Sequence, residues 1–387
     1  KKYKPRLNWG FKLVIIFLLI QLVAAIFGLD FYKSFWSDFE RMEGVISLIY
    51  LAVYLFLLQV FFKEKRNWLF YIRLILIASI IVSLYGLAQK FNILPVFEAG
   101  IGRVTSLGLG VYYYFNEPDK NYRYFALAAS VINLIVLTMT STRGAILGLI
   151  FGVIIFVFLN AIYLSGKERK NSLAIIIILA VMLAGFFTFR GRLADSKIEF
   201  IRRLATISIE DATVSNRLTV WRMAISDFKF HPVLGVGMEN FDIIYNKYYR
   251  PDITENWFDR THNVYLDQLV AGGSFGLAAY LAILGYLFYL LFKKRREDYW
   301  QFATLTSLLA AYGVHNFFVF DTLNTSFLYF FLIGLICFRE KTDEAENKES
   351  NIKAFNGVFI ILIIINIFVF YKLVYLPLKI NRAIYIG

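Results

Sequence analysis

A single cysteine in 387 residues, Cys337, excludes an internal disulfide. Histidine is almost as scarce, with only His231, His262 and His315. No HExxH or CxxC occurs and no helix-length segment carries a close carboxylate pair, so no metal site is evident and no cofactor is implied. Charged residues make up 18%, against ~25% in soluble domains. In their place stand 59% hydrophobic residues, 18% aromatics and a mean hydropathy of +0.60. Long apolar runs between short basic clusters read as an all-α, polytopic membrane bundle.

The net charge of +13 does not point to nucleic acid. Its clusters, Lys63–Arg66, Lys167–Lys170 and Lys293–Arg296, lie between apolar runs, the positive-inside signature of cytoplasmic loops. The first run, Phe11–Gly28, follows Lys1, Lys2, Lys4 and Arg6 as a signal peptide would. No small-residue cleavage site follows, since Leu29-Asp30-Phe31-Tyr32 is bulky, so it reads as a retained helix. Further spans are expected at Gly44–Phe62, Trp68–Ala88, Tyr124–Thr140, Ala145–Leu164 and Ser172–Phe189. Others follow at Val264–Phe292, Phe302–Phe320, Ser326–Phe338 and Ala354–Tyr371. Gly272-Gly273 should break or bend the longest of these. Keeping the cluster at Lys167 inside requires one more crossing between Gln89 and Tyr124. The only candidate, Val104–Phe115, is short for a span: either it is a re-entrant or thinned element or, the favoured reading, residues are missing between Arg103 and Tyr112. The expectation is eleven crossings with the C-terminus outside. Three regions follow: membrane helices over 1–189, an extracytoplasmic catalytic loop over 190–261, and membrane helices over 262–387.

The polar loop carries eight arginines and a helical segment, Ser215–Phe230, with Leu218, Trp221, Ile225 and Phe228 on one stripe and Ser215 or Asn216 as its cap. Tyr245, Tyr248, Tyr249, Trp257 and Phe258 could stack on sugars or anchor at the interface. Arg143 sits in the tight outer connection before a span. It reads either as an interfacial snorkelling arginine or as a phosphate clamp, with Gly144 allowing close backbone approach and a helix start adding positive potential. Arg217, at the head of its helix, could grip a second phosphate. His262 follows Thr261, an expected N-cap, which places it in the first helical turn, where the dipole keeps the ring neutral, as a general base requires. A satisfied interfacial histidine is the plainer reading. His315, with Asn316 and Asp321 close by, reads equally as a functional residue or a helix–helix hydrogen bond. His231 reads as structural and Gly235-Val236-Gly237 as a turn. The outer acidic cluster Asp30, Asp38 and Glu40 is a lesser candidate for a catalytic acid.

Three segments together resemble the O-antigen ligase and O-antigen polymerase superfamily of bacterial envelope glycan transferases. They are Ser141–Leu149, Asn216-Arg217 through Trp221 to Pro232–Phe241, and His262–Leu266. The resemblance implies that Arg143 and Arg217 bind the donor diphosphate and that His262 activates the acceptor hydroxyl. It also implies an undecaprenyl-diphosphate-linked glycan donor, a lipid or glycan acceptor, metal-independent inversion at the anomeric carbon, and a site at the outer face of the bacterial cytoplasmic membrane. Arg103, His315 and Asp321 would support that site. Where similar proteins continue from a Gly-Asn-Pro-like turn into a full span, Gly102–Leu107 departs, which leaves a donor role for Arg103 open. Tyr375–Ala383 resembles the lead-in to helical repeats found in some members. Polymerisation of repeat units and protein glycosylation remain alternatives. A non-enzymatic transporter or flippase of lipid-linked glycans is a different class, which charges deep within several spans and repeated halves would favour; the first half has few mid-span charges and no internal repeat is seen.

Overall fold

The structure, a computed structural model, describes residues 7–38, 41–91, 93, 103–140, 142–197, 201–202, 205–206, 212–250, 257–338 and 371. The chain divides into two units, Lys1–Glu340 and Lys341–Gly387. Of the second only Tyr371 is described, so the expected span Ala354–Tyr371 and the segment Tyr375–Ala383 lie outside the described residues.

Every element described in the first unit is a helix. In order these are α1 (Trp9–Phe27), α2 (Phe31–Trp36), α3 (Val45–Phe61), α4 (Lys65–Lys90), α5 (Arg103–Asn116), α6 (Lys120–Thr140) and α7 (Arg143–Tyr163). There follow α8 (Gly166–Thr188), α9 (Arg190–Ala194), α10 (Ala212–Phe228), α11 (Phe241–Lys247), α12 (Val264–Lys293), α13 (Tyr299–His315) and α14 (Leu323–Cys337). Helices α1, α4, α6, α7, α8 and α12 are each long and apolar enough to cross a membrane, while α3 and α14 are shorter apolar helices. The span expected to run to Phe320 ends at His315, where a turn over Asn316–Val319 takes over.

Polar contacts bring the three basic clusters to one end of the bundle. Lys65 Nζ donates to Asn116 Oδ1 at 2.9 Å, joining the start of α4 to the end of α5. Phe115 stacks on Trp300 with centroids 4.2 Å apart, and Tyr299 bonds Asn160 beside the α7–α8 connection. Helix α5 therefore runs back antiparallel to α4, at the place where charge parity predicts one more crossing. It does so in 14 residues, about 21 Å at ~1.5 Å per residue.

Helices α7 and α13 meet along a seam of small residues. Gly144, Gly148 and Gly152 lie four apart and so on one face of α7. A Cβ at Gly148 would stand 2.7 Å from the Ala311 carbonyl oxygen, and one at Gly152 2.8 Å from Ala311 Cβ. Nothing larger than hydrogen fits between these backbones.

Helix α12 breaks where the glycine pair predicts. Gly273 has φ 63° and ψ −157°, outside helical space and costly for a residue with a Cβ. In an unbroken helix Ser274 and Phe275 would donate to Val270 and Ala271. Here those two carbonyls accept instead from Val236 N (2.9 Å) and Gly237 N (3.0 Å). The freed donors, Ser274 N and Phe275 N, go to the carbonyls of Pro232 (2.9 Å) and Val233 (3.4 Å). The turn that holds Gly235 and Gly237 is thus spliced into the helix, and the two carbonyls and two N–H groups freed at the break each keep a partner. Leu29 N, just past α1, donates to Val236 O at 2.9 Å, so the splice also holds the outer end of α1.

Candidate active site

The end of the bundle opposite the basic clusters carries the candidate residues, gathered around the Asn316–Phe320 turn. Val264 N donates to Asn316 O at 2.9 Å, and Tyr265 OH donates to Gly313 O at 2.8 Å. Three phenylalanines of the turn each meet a different segment. Phe318 lies over Gly144, where a Cβ would stand 2.9 Å from Phe318 Cβ. Phe317 meets Trp221 edge-on with centroids 5.6 Å apart. Phe320 meets the His262 ring edge-on at 5.0 Å. Trp221 Nε1 also donates to Thr261 O at 2.9 Å, tying α10 directly to the residue before His262.

Arg143 is the first residue of α7, as expected of the connection before a span, and is half-buried. The room that Gly144 was expected to leave for a phosphate is instead taken by Phe318. Arg217 does not head its helix. Helix α10 starts at Ala212, which puts Ser215 and Asn216 inside it, and Asn216 is buried rather than capping. Arg217 lies four residues before Trp221 and therefore on the same face, one turn earlier. The buried stripe of α10 is also turned from the expected one: Asn216, Val220, Met223, Ala224 and Asp227 face inward while Ile225 is exposed. Apolar residues cover more than half of this helix, so periodicity alone does not choose the face.

His262 is not in the first helical turn. Asn263 is the N-cap, its Oδ1 accepting from Tyr265 N at 3.0 Å and Leu266 N at 3.2 Å. Thr261 lies before the cap, where Oδ1 of the buried Asp267 accepts both its N–H (2.8 Å) and its hydroxyl (2.7 Å) and its own Oγ1 accepts from Asn263 N at 3.2 Å. His262 is left between them in the left-handed region, φ 57°, at a cost of roughly 1–2 kcal/mol that the flanking contacts must offset. Its ring lies between Phe258 and Phe320, and its Nδ1 is 3.4 Å from the Arg260 carbonyl. Nδ1 protonated toward that carbonyl leaves Nε2 as the basic nitrogen.

Arg260, two residues before His262, belongs to a buried ion cluster that residue patterns do not reveal. Arg260 donates to Glu43 at 2.8 Å and to Glu239, and Arg41 pairs with Asp259 while its guanidinium covers the Phe320 ring at 4.8 Å. Burial pushes the Glu43 carboxyl up to about 8 although Arg260 pulls it down, and burial raises Glu239 in the same way. Burial alone would lower Arg260, but Glu239 and Glu43 outweigh it and raise it. Charged pairs of this kind hold geometry more than they stabilise the fold. Nothing near Glu43 in sequence could have signalled it, because its partners are about 200 residues away.

His315 ends α13 and packs on α7, its Cβ 3.0 Å from where a Cβ on Gly148 would sit. Asp321 accepts from Tyr312 OH at 2.7 Å and Asn316 Nδ2 at 3.3 Å; burial raises it to about 6 against the Tyr312 hydrogen bond. Arg103 opens α5, and its side chain lies outside the described residues. In the acidic cluster, Asp30 caps α2 through Lys33 N and Asp38 accepts from Arg41 N; Glu40 lies outside the described residues. His231 bonds the buried Asp227 at 3.0 Å, which Lys247 also reaches, so the trio bolts α10 to α11. Tyr245 and Phe258 neither stack on ligand nor anchor at an interface. They fill a small core with Val220, Met223, Val236 and Ile244, while Tyr249 and Trp257 are exposed.

Residues 128–281 match the family model described as O-antigen ligase. That stretch contains Arg143, Arg217 and His262 and stops short of His315 and Asp321. No curated protein matches the chain.

Proposed function

We propose that this chain, which carries an O-antigen ligase family segment over residues 128–281, transfers a glycan from an undecaprenyl-diphosphate carrier to an acceptor hydroxyl at the outer face of the bacterial cytoplasmic membrane. The observation that carries the reading is the convergence of three separate segments on one turn: Gly144 beside Arg143, Trp221 one turn after Arg217, and His262 each pack against a phenylalanine of Phe317–Phe320.

In this reading His262 takes the acceptor hydroxyl proton on Nε2 as that oxygen forms its bond to the sugar C1. The bond from C1 to the diphosphate oxygen breaks with its electron pair leaving on the diphosphate. Attack opposite the leaving group inverts the anomeric centre. Arg143 and Arg217 stabilise the charge growing on the departing phosphates, an electrostatic effect for which a planar, permanently charged guanidinium is suited. The His262–Arg260 carbonyl contact and the aromatic walls fix the ring, while the buried pairs of Arg260 fix that carbonyl's segment. Ligation and polymerisation of repeat units use the same donor chemistry and differ in the acceptor.

The test is incubation of purified protein in lipid nanodiscs with undecaprenyl-diphosphate-linked glycan and acceptor, followed by assay of released undecaprenyl diphosphate. The wild type should release it. His262→Gln, polar and of similar reach but without a basic nitrogen, should bind donor normally and lose ~10²-fold or more in release, within the range for positioned acid–base groups. Near-normal release by His262→Gln with an unchanged pH profile would move the base elsewhere. Transport of donor across the bilayer without release would favour a flippase.

A further inference from the structure

The turn spliced into α12 has a depth that the bundle fixes. Beyond its break, α12 runs over Ser274–Lys293, about 30 Å at ~1.5 Å per residue, which is the thickness of the hydrocarbon core. It finishes in the basic cluster Lys293–Arg296. Helix α1, with 19 residues, spans about 28 Å by the same rise. It starts at that same end, where Gln59, four residues before Lys63, donates to Asn8 Oδ1 at 3.2 Å. At their far ends both helices meet one turn. Ser274 N donates to Pro232 O and Leu29 N to Val236 O, each at 2.9 Å, and Gly235 N closes the turn on His231 O at 3.2 Å. Two helices of hydrocarbon length therefore set Pro232–Val236 at the edge of the hydrocarbon, although it belongs to the polar loop.

The side chains at that edge are large, apolar and uncovered. Phe230 is 70% exposed, Val233 50% and Phe275 55%. Val233 and Phe275 are neighbours, since Phe275 N donates to Val233 O, and Phe230 enters the turn just before His231. The charge around them is positive. Lys229 follows α10 directly and is exposed, and Arg222, two turns earlier on the same face, is exposed as well. The ammonium of Lys247 stands 5.0 Å from the centre of the Phe230 ring. The nearby carboxylates are engaged: Asp227 holds Lys247 and His231, and Asp242 pairs with Lys33 at 2.6 Å. Apolar side chains at the hydrocarbon edge, with exposed cations beside them, are what an anionic lipid surface receives.

We propose that the turn Phe230–Val233 is inserted into the leaflet opposite the basic clusters, with Phe230, Val233 and Phe275 among the acyl chains and Lys229 at the phosphate of an anionic phospholipid. The foot of α10 is then moored to lipid at the place where it is spliced to α12. The mooring depends on depth, exposure and charge, and on nothing about the reaction. It holds whether the chain transfers a glycan or not.

The experiment places an environment-sensitive fluorophore on single cysteines in the full chain, in nanodiscs of phosphatidylcholine and phosphatidylglycerol. The native Cys337 is buried and does not compete for label. Phe230→Cys and Val233→Cys replace exposed side chains and leave the packing intact, and Lys167→Cys, in an exposed basic loop, is the aqueous reference. A doxyl group at carbon 5 of a phospholipid chain should quench the labels at 230 and 233 strongly and the label at 167 little. Carried on phosphatidylglycerol, the quencher should act about 5-fold more effectively at 230 than on phosphatidylcholine at the same low mole fraction, the enrichment one lysine near the surface confers. Lys229→Gln should bring the two lipids close to equal. Quenching at 230 and 233 no greater than at 167 overturns the insertion, and a blue-shifted label that lipid does not quench overturns it in favour of a protein partner. Equal quenching by the two lipids, or a preference unchanged in Lys229→Gln, overturns the headgroup contact.

Discussion

Replacing Gly273 with alanine tests whether the spliced break in α12 holds the site in place. At φ 63°, ψ −157° the backbone is in a region open essentially to glycine, and forcing another residue there costs about 1–3 kcal/mol. The new Cβ would also stand 2.2 Å from the Val233 carbonyl oxygen, which cannot yield without shifting the turn. The alternative is for α12 to straighten and recover its own bonds from Ser274 and Phe275. That strands Val236 N and Gly237 N, at about 1 kcal/mol or more for each buried unpaired donor. The first route costs about 1–3 kcal/mol besides the clash, and the second about 2 kcal/mol or more. Both routes displace Glu239, two residues beyond Gly237, and with it one carboxylate of Arg260. Gly273→Ala should therefore melt several degrees lower in detergent and lose transfer activity, whereas Gly285→Ala in the same helix, where a Cβ meets nothing within 4 Å, should do neither. Wild-type melting and wild-type activity in Gly273→Ala would refute the account of the splice.

Arg143→Ala and Arg217→Ala should each cut turnover by roughly 10²–10³ without unfolding the protein, and lysine at either place should restore only part, since an ammonium lacks the fork. Full turnover in both alanine variants would remove the clamp. Glu43 binds its proton more tightly folded than unfolded, so between its ordinary value and about 8 the folded state holds more protons, and stability should fall as pH rises through that window. Melting in detergent should be lower at pH 8 than at pH 6, by up to about 1.4 kcal/mol per pH unit from this group, and Glu43→Gln should flatten the slope. Single cysteines introduced near Lys167 and near Lys247 should label from opposite sides of the membrane; labelling from one side would overturn the assignment of the site to the outer face.

The helices were legible because lipid-length apolar runs are a strong signal, and the break at Gly272-Gly273 and the turn at Gly235–Gly237 were legible because glycine marks unusual backbone. That the two glycine signals belong to each other was not, since they meet through backbone hydrogen bonds that carry no side-chain signature. His262, Arg143 and Arg217 could be singled out by residue type and spacing. Their local settings were misjudged where two neighbours compete for one role, as Thr261 and Asn263 do for the helix cap. Glu43, Glu239, Asp267 and the phenylalanine turn escaped notice because their partners are distant in sequence, and an isolated glutamate or phenylalanine in such a chain has no pattern to join.

The glycine seam of α7 divides that helix into two faces with different evolutionary freedom. Ile150, Phe151, Ile154 and Phe158 look outward, where any apolar side chain serves equally well against lipid. At Gly144, Gly148 and Gly152 a single added methyl collides with α13 or with the turn beyond it, so those positions cannot drift even to alanine without moving a helix. Arg143 gains a fixed height from this: it is locked in register with His315 and Phe318 rather than with the membrane surface. If the bundle tilts, or the bilayer thickens, the arginine and the turn travel together. Substitutions tolerated in related sequences should therefore recur around α7 with a gap every fourth residue, and insertions should be purged from the stretch between Arg143 and Gly152 while being tolerated after Tyr163.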